Sequence, residues 1–394
     1  MRRKPLRHFM PIIILVFSCT VPHAEPIHYV QMIFPPQDKH VHSSSLVELP
    51  DGDLLTCWFH GSGERTADDV LVQGARLKKG NDVWSSVFLM ADTPGFPDCN
   101  PVLFLDRNER LWMFWIAVRA HGWQHSLLRC RTSTRYDGDA APEWDWQDLI
   151  LLKPDDSFVD AIKDGFKKLN PDEDLWAEYA LPYTRMIIEA AADPAKRQEG
   201  WMTRIHPIQL ASGRILLPLY SDGFNLSLAA LSDDDGRTWR ASGPMVGLAG
   251  IQPAIMQKKN GHLVAFLRDA GGAPNRVLRC ESDDEGVTWS VMRDTDIPNP
   301  GSSLEVIALK NQPLWAMIYN DSEHHRDSMA IALSDDEGVS WKWQRHIGRT
   351  DYYAYPSMIQ DRQELIHITY THNSREGKTI RHEAFTIDWI MQGD

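Results

Sequence analysis

Six polar residues stand at the heads of apolar runs that recur along the chain: His42, Asn100, His206, Gln252, Ser302 and Tyr355. Four of them run directly into proline, as Asn100-Pro101, His206-Pro207, Gln252-Pro253 and Tyr355-Pro356. Imidazole and phenol can give or take a proton, and amides and hydroxyls supply donors and acceptors. Gathered at one place, the six heads make a polar pocket. Taken singly, each can equally well satisfy backbone groups at the end of a strand.

What must position them is a set of hairpins. Ser45–Phe59, Pro101–Ile116, Pro207–Tyr220, Pro253–Arg268, Ser303–Tyr319 and Pro356–Tyr370 each read as apolar strand, short polar turn, apolar strand. The turns fall at Asp51-Gly52, near Asn108, at Ser212-Gly213, at Asn260-Gly261, near Asn311 and near Arg362. Apolar runs bounded by Gly, Asn and Asp are the signature of strand hairpins.

A second ruler has the same spacing. Ser232-Asp233-Asp234-Asp235-Gly236-Arg237-Thr238-Trp239 recurs as Ser282–Trp289 and Ser334–Trp341, starting 50 and then 52 residues further on. In the shared pattern Ser-x-Asp-x-Gly-x-Thr/Ser-Trp, the Asp can accept backbone amides of a turn, Gly supplies positive φ, and Trp packs on a sheet. Each box follows a hairpin by about twenty residues, so hairpin and box together make a four-stranded unit. Three hairpins carry a box and six hairpins recur in all, which predicts an all-β, six-bladed β-propeller. Because the innermost strand of every blade starts near one rim of the channel, the six heads should converge. Strands near Ile27–Phe34 and Thr379–Thr386 can complete one blade together and leave no open edge.

Between Trp146 and Trp201 the rhythm breaks. Phe158–Leu169 and Leu175–Ala192 carry helical periodicity, with Asp156-Ser157 and Asn170-Pro171-Asp172 as start signals. This predicts a helical insertion between the second and third blades, at about residues 154–200.

The chain has 394 residues, 43% of them hydrophobic, so core size is not limiting. Fifteen Trp suit both blade packing and stacking on sugars. A net charge of −13 argues against nucleic acid as a partner. Arg2, Arg3, Lys4 and Arg7 precede a short apolar core, Met10–Phe17, and a processing region ending near Ala24. That is an export signal, too short to span a bilayer as an integral anchor; Cys19 offers a lipid-anchored alternative. The domain reading is therefore a signal peptide over 1–24 and one propeller over 25–394, in a periplasmic or extracellular protein. Cys57, Cys99, Cys130 and Cys280 show no metal-ligand spacing and read as buried free thiols. No cofactor is called for, although a structural Ca²⁺ beside the acidic boxes is compatible with them. Asn225-Leu226-Ser227 and Asn320-Asp321-Ser322 match glycosylation acceptors for a eukaryotic secretory host.

The three boxes are Asp-boxes, or BNR repeats, and with six blades and an export signal the chain resembles the sialidase superfamily, in its secreted BNR-repeat, sialidase-like branch. The resemblance spans nearly all of the chain outside the insertion. It implies a Tyr nucleophile at the head of the sixth blade, where Tyr355 stands. It implies three Arg around a substrate carboxylate. Arg268, ending the fourth hairpin, and Arg326 match two of them; His42-Ser43-Ser44 stands where the third belongs. A Glu expected to polarise the Tyr is replaced by Gln252. The general acid belongs in the loop after the first hairpin, where Glu64, Asp68 and Asp69 are candidates, with Glu64 and Asp69 set beside Tyr355 as the catalytic group. Asn100, Arg204 and His206 join His42, Gln252, Arg268 and Arg326 as substrate-binding candidates.

These departures have consequences. Imidazole cannot copy the bidentate fork of a guanidinium, and Gln cannot take a proton from Tyr. Three functions stay open. One is a glycoside hydrolase of sialidase-like, exo-acting type on a carbohydrate, with an acidic sugar. Another is a uronic-acid polysaccharide lyase, for which Arg268 and Arg326 neutralise a carboxylate while His42 and Tyr355 act as base and acid. The third is a non-catalytic glycan-binding propeller.

Overall fold

The structure, a computed structural model, describes residues 26–171 and 183–394. The segment read as an export signal, with Cys19, lies outside them. Six four-stranded antiparallel sheets form among the described residues. The first comprises His40–Glu48, Leu54–Gly61, Leu71–Leu77 and Phe88–Ala91; the second Asp98–Leu105, Leu111–Val118, Ser126–Ser133 and Trp146–Leu149. The third is made of Ile208–Gln209, Ile215–Ser221, Leu226–Ser232 and Arg240–Ala241. Gly250–Gln257, Leu263–Asp269, Arg276–Ser282 and Arg293–Pro298 make the fourth; Glu305–Ala308, Trp315–Asn320, Ser328–Ser334 and Trp343–Arg349 make the fifth. The sixth joins Tyr352–Gln360, Ile366–Ser374 and Gly377–Phe385 to the N-terminal strand His28–Met32, which pairs antiparallel with Gly377–Phe385. The chain therefore forms a six-bladed β-propeller closed by strands from its two ends.

Second strands such as Leu111–Val118 are buried along their whole length, because each is covered on both faces by neighbouring blades. Innermost strands are linked by side chains: Ser45 Oγ accepts Leu103 N (2.9 Å), Ser357 Oγ accepts Leu46 N (3.1 Å) and Glu305 Oε2 accepts Met358 N (2.9 Å). These bonds satisfy buried backbone donors where no ladder exists.

Each box joins the third and fourth strands of its blade. In the Ser282–Trp289 box, Asp284 accepts Thr288 N (2.9 Å), Thr288 Oγ1 (2.6 Å) and Ser282 Oγ (2.8 Å). The box carboxylates are thus engaged by hydroxyls and amides. Among the described residues no group of three or more His, Cys, Asp and Glu side chains is arranged to hold a metal ion. Each box glycine lies against the blade before it: a Cβ on Gly236 would sit 2.2 Å from Trp112, on Gly286 2.4 Å from Leu216, and on Gly338 2.7 Å from Phe266. The box is therefore a clamp between blades as well as a turn.

Helices Asp156–Leu169, Tyr183–Ala192 and Pro194–Gln198 stand between the second and third blades. The start lies one residue earlier than the sequence signal, since Asp155 caps the first helix by accepting Ser157 N (2.9 Å). The start signal at Asp172 and the first turns of Leu175–Ala192 fall outside the described residues. Tyr183 ties the insertion down, its hydroxyl donating to Asn225 O (3.0 Å) and accepting Ala249 N (3.0 Å). Cys57, Cys99, Cys130 and Cys280 are buried and free. Asn225 and Asn320 are buried as well, so neither glycosylation match is accessible in the folded chain. No described helix is long and apolar enough to cross a membrane.

Candidate active site

The strand heads share a backbone device. Asn100, Gln252 and Tyr355 all have left-handed φ, at 50°, 57° and 53°, and each is followed by proline. In each case the ladder shifts register across the pair, between Cys99 and Val102, Ile251 and Ala254, and Ala354 and Ser357. The bulge turns the side chain out of the sheet alternation. In the first blade the same bulge runs from His42 to Ser45, with Ser43 at φ 58°. The left-handed residue there is Ser43, and His42 occupies the position before it.

A cavity of about 290 Å³ opens at this rim, lined by His42, Glu64, Asn100, Arg268, Arg326 and Tyr355 together with His40, Arg65, Trp123, Tyr220, Asp222, Tyr352 and Asn373. Tyr355 is its centre. Its Oη accepts Arg268 Nη1 (3.0 Å) and Gln252 Nε2 (3.2 Å), and its ring packs against His42 with centroids 4.1 Å apart and planes tilted by 31°. Two guanidinium groups flank the ring, Arg204 at 4.9 Å and Arg326 at 5.5 Å from its centroid. Arg326 donates to Tyr352 Oη (2.9 Å) and Gly301 O (2.6 Å). Asp269, the chain neighbour of Arg268, turns instead to the amides of Gly271 (2.7 Å) and Arg276 (3.1 Å), and burial raises its carboxyl to about 6.

Electrostatics separate the three acid candidates. Burial raises the Glu64 carboxyl above the usual range, against the opposing pull of Arg65, Arg326 and Arg268. About a third of its side chain stays exposed, at 34%. Asp69 does not line the cavity. Ser62 donates to it through hydroxyl (2.5 Å) and amide (2.9 Å), and these bonds hold its carboxyl below the usual range. Asp68 faces His121 at 2.7 Å, on the surface. His42 is neutral: burial, and then the charges of His40, Arg326, Arg204 and Arg268, push its imidazole well below the usual value. Its Nδ1 meets Thr371 Oγ1 at 2.9 Å.

Gln252, an expected substrate-binding residue, is buried behind Tyr355 and does not line the cavity, and three further expected site residues stand elsewhere. Arg204 is buried below Tyr355 and donates to Ser44 O (3.3 Å) and Pro356 O (2.7 Å), so it supports the floor without facing the cavity. His206 lies toward the other mouth of the channel, bonded to Glu305, Ser45 Oγ (3.1 Å) and Leu46 O (3.0 Å). Ser302 closes a turn with Asn299. The blade-three bulge is longer and carries His206 away from the rim: Met202 pairs with Tyr220, yet the next ladder pair is Ile208 with Leu216.

Tyr220 was missed by the reading of heads alone. It occupies in blade three the place of Arg268 in blade four, since Met202 pairs with Tyr220 as Ile251 pairs with Arg268. Its hydroxyl accepts Asn100 Nδ2 (3.1 Å). The repeat carries the signal that finds it: second strands end at the rim where first strands begin.

A closed six-bladed propeller with one polar, arginine-bearing pocket at the head of its inner strands defines the class. The family profile described as BNR repeat-like domain matches residues 52–154 and 200–368, most of the chain. The chain belongs to that family and is a sialidase-like BNR propeller. A sialidase from Micromonospora viridifaciens is 23% identical over 174 residues, 42% of this chain but only 26% of that protein's length. The leech intramolecular trans-sialidase superposes with a TM-score of 0.68 at 14% identity, covering 92% of this chain and 71% of that one. A protein of unknown function from Dyadobacter fermentans gives 0.66 at 15% identity, over 91% of this chain and 98% of that one. The intramolecular trans-sialidase of Ruminococcus gnavus gives 0.66 at 14%, with the same coverage.

Proposed function

We propose that the protein is an exported glycosidase that removes a terminal acidic sugar from a glycan. The observation that carries this reading is the joint lining of one small pocket by Arg268, Arg326, Tyr355 and Glu64. Two guanidinium forks suit a carboxylate. Glu64, whose carboxyl burial raises, gives its proton to the leaving-group oxygen as the glycosidic bond breaks, and a water then adds to the anomeric carbon and returns a proton to the Glu64 carboxylate. With Gln252 beside it in place of a base, Tyr355 serves best by presenting its electron-rich phenol to the positive charge that develops at the anomeric carbon. Asn100 and His42, as neutral donors and acceptors, orient the sugar hydroxyls. The likeness to a sialidase supports an acidic sugar, and the basic N-terminus followed by Met10–Phe17 supports export.

The test is turnover by the purified protein on a panel of acidic and neutral glycans, read by released reducing sugar. Release from acidic glycans alone is expected. Release only from neutral ones refutes the acidic-sugar reading, and binding without release leaves a glycan-binding propeller.

The neutral His42 packed against Tyr355, with no carboxylate bonded to the phenol among the described residues, also suits a uronic-acid lyase. Elimination forms a carbon–carbon double bond conjugated with the carboxylate, so an ultraviolet-absorbing product identifies it.

A further inference from the structure

We propose that the helical insertion builds a second carbohydrate subsite, one that holds a neutral sugar on the leaving-group side of the scissile bond. The direction of the substrate rests on Glu64 acting as the acid.

A cavity of about 650 Å³ lies between the insertion and the second and third blades. Arg65, Trp123 and Asp222 line both this cavity and the Tyr355 pocket, so the two adjoin. The inner one, at about 290 Å³, stands at the bottom of the ~300–1,000 Å³ range of small-molecule sites, and the outer one falls well inside it. One terminal sugar in the first and further residues in the second is the division that these sizes suit.

The acid marks the junction. Glu64 lines the inner pocket, and the next residue, Arg65, lines both cavities with its guanidinium 5.2 Å from the centre of the Trp123 ring. A glycosidic oxygen protonated by Glu64 therefore has its departing sugar on the Trp123 side. The outer walls suit a pyranose ring. Trp123, Phe224 and Met186 offer apolar surface for its C–H face, while Gln124, Glu199 and Ser221 offer partners for its hydroxyls. The fixed charges of the lining cancel, Arg65 and Lys196 against Glu199 and Asp222, which favours a neutral ligand over an anionic one.

The cavity is built into the fold. Gly200 has φ +74°, and a Cβ there would lie 2.8 Å from the carbonyl oxygen of Gln124, so the insertion returns to the propeller packed directly on the Trp123–His125 turn. Glu199 adds ion pairs to Arg119 (3.4 Å) and to His125 when protonated (3.6 Å).

Two measurements on the full chain test this. Binding of lactose, as a neutral disaccharide probe, is followed by saturation-transfer NMR for the wild type and for Met186→Trp, Gln124→Ala and Arg268→Ala. Lactose should bind the wild type and Arg268→Ala alike, and at least fivefold more weakly to Met186→Trp, whose indole narrows the cavity beside Trp123. Gln124→Ala, at an exposed position, should weaken binding in the same direction and carries the test if Met186→Trp does not fold. In turnover, the ratio of kcat/KM for a lactose-linked over a methyl-linked acidic glycoside should fall about tenfold in both variants. A wild type that does not bind lactose, or binding that neither variant changes, overturns the inference even where acidic glycans are hydrolysed. Lactose binding lost in the variants with no turnover of any glycoside upholds the subsite and removes the hydrolytic reading.

Discussion

Gly236→Ala should be among the most damaging single-methyl changes in this chain, and the reason separates two energies that box glycines combine. Gly236 has φ +81°, where any L-residue costs about 1–2 kcal/mol. The added Cβ would also stand 2.2 Å from the indole of Trp112. That ring cannot step aside: it is 1% exposed, stacks on Phe114 at 5.5 Å and 3°, and donates to Asp106 Oδ2 at 2.9 Å. Forcing extra volume against a fixed buried neighbour costs about 1–3 kcal/mol. The sum is about 2–5 kcal/mol. Gly261 provides the control, with φ +89° and nothing within 4 Å of the place a methyl would take, so Gly261→Ala should cost only the backbone share, about 1–2 kcal/mol. Urea denaturation followed by Trp fluorescence reads both, at unchanged m-value. Because third strands run away from the pocket rim, the boxes lie at the opposite face, and activity per folded molecule should persist. Equal midpoints for the two variants would refute the clamp between blades.

The Asp336 box gives an acid-stability prediction. Burial alone raises its carboxyl, but bonds from the Ser340 side chain and backbone, Ser334 and Val339 outweigh it and hold the group at about 2, against an ordinary 3.8. A depressed carboxyl adds stability that is present above about pH 4 and lost as pH falls toward 2, so Asp336→Ala should destabilise by about 1–2 kcal/mol at pH 7 and converge with the wild type near pH 2, measured by chemical denaturation across pH. Glu64→Gln should lower kcat by about 100-fold or more and abolish the alkaline limb of the pH–rate profile, which in the wild type lies above the ordinary carboxylate range because the acid is needed protonated; a retained limb would assign the proton elsewhere. Arg268→Lys keeps the charge but loses the fork, and should cost about 2–3 kcal/mol, or roughly 30- to 150-fold in kcat/KM on an acidic glycan and much less on a neutral one.

Much of the architecture was legible because it repeats. A box every fifty residues and six hairpins are redundant signals, and an error in one unit is corrected by the others. The convergence of His42, Asn100, Gln252 and Tyr355 on one rim followed from the same register. His206 followed the rule in sequence but not in space, because the blade-three inner strand shortens to Ile208–Gln209 and its bulge lengthens. A loop length of that kind leaves no trace in residue type. The acid shows a similar limit. Glu64, Asp68 and Asp69 are interchangeable as letters in one loop, and only burial for one and Ser62 donors for another separate them. Arg204 is a substrate-binding candidate by residue type, but whether its guanidinium faces a cavity or the backbone carbonyls beneath it depends on depth along the channel, which hydrophobic patterning does not encode.

The two departures from the sialidase-like pattern are easier to understand together than apart. His42, neutral in its buried setting, stands where a guanidinium is implied, and Gln252 where a carboxylate is implied. One positive and one negative charge are absent from the same rim, so the pocket's balance is unchanged, and Arg268, Arg326 and Arg65 still face Glu64 and Asp222. An unpaired change would have left a buried charge without its counterpart, at a cost of several kcal/mol. The paired change keeps the arginines of the pocket, which the proposed acidic ligand needs, and leaves no carboxylate at the position of Gln252 to take a proton from Tyr355. Under the proposed reading, acid–base work in this pocket falls on Glu64, while the phenol is held in place by Arg268 and Gln252 through its oxygen.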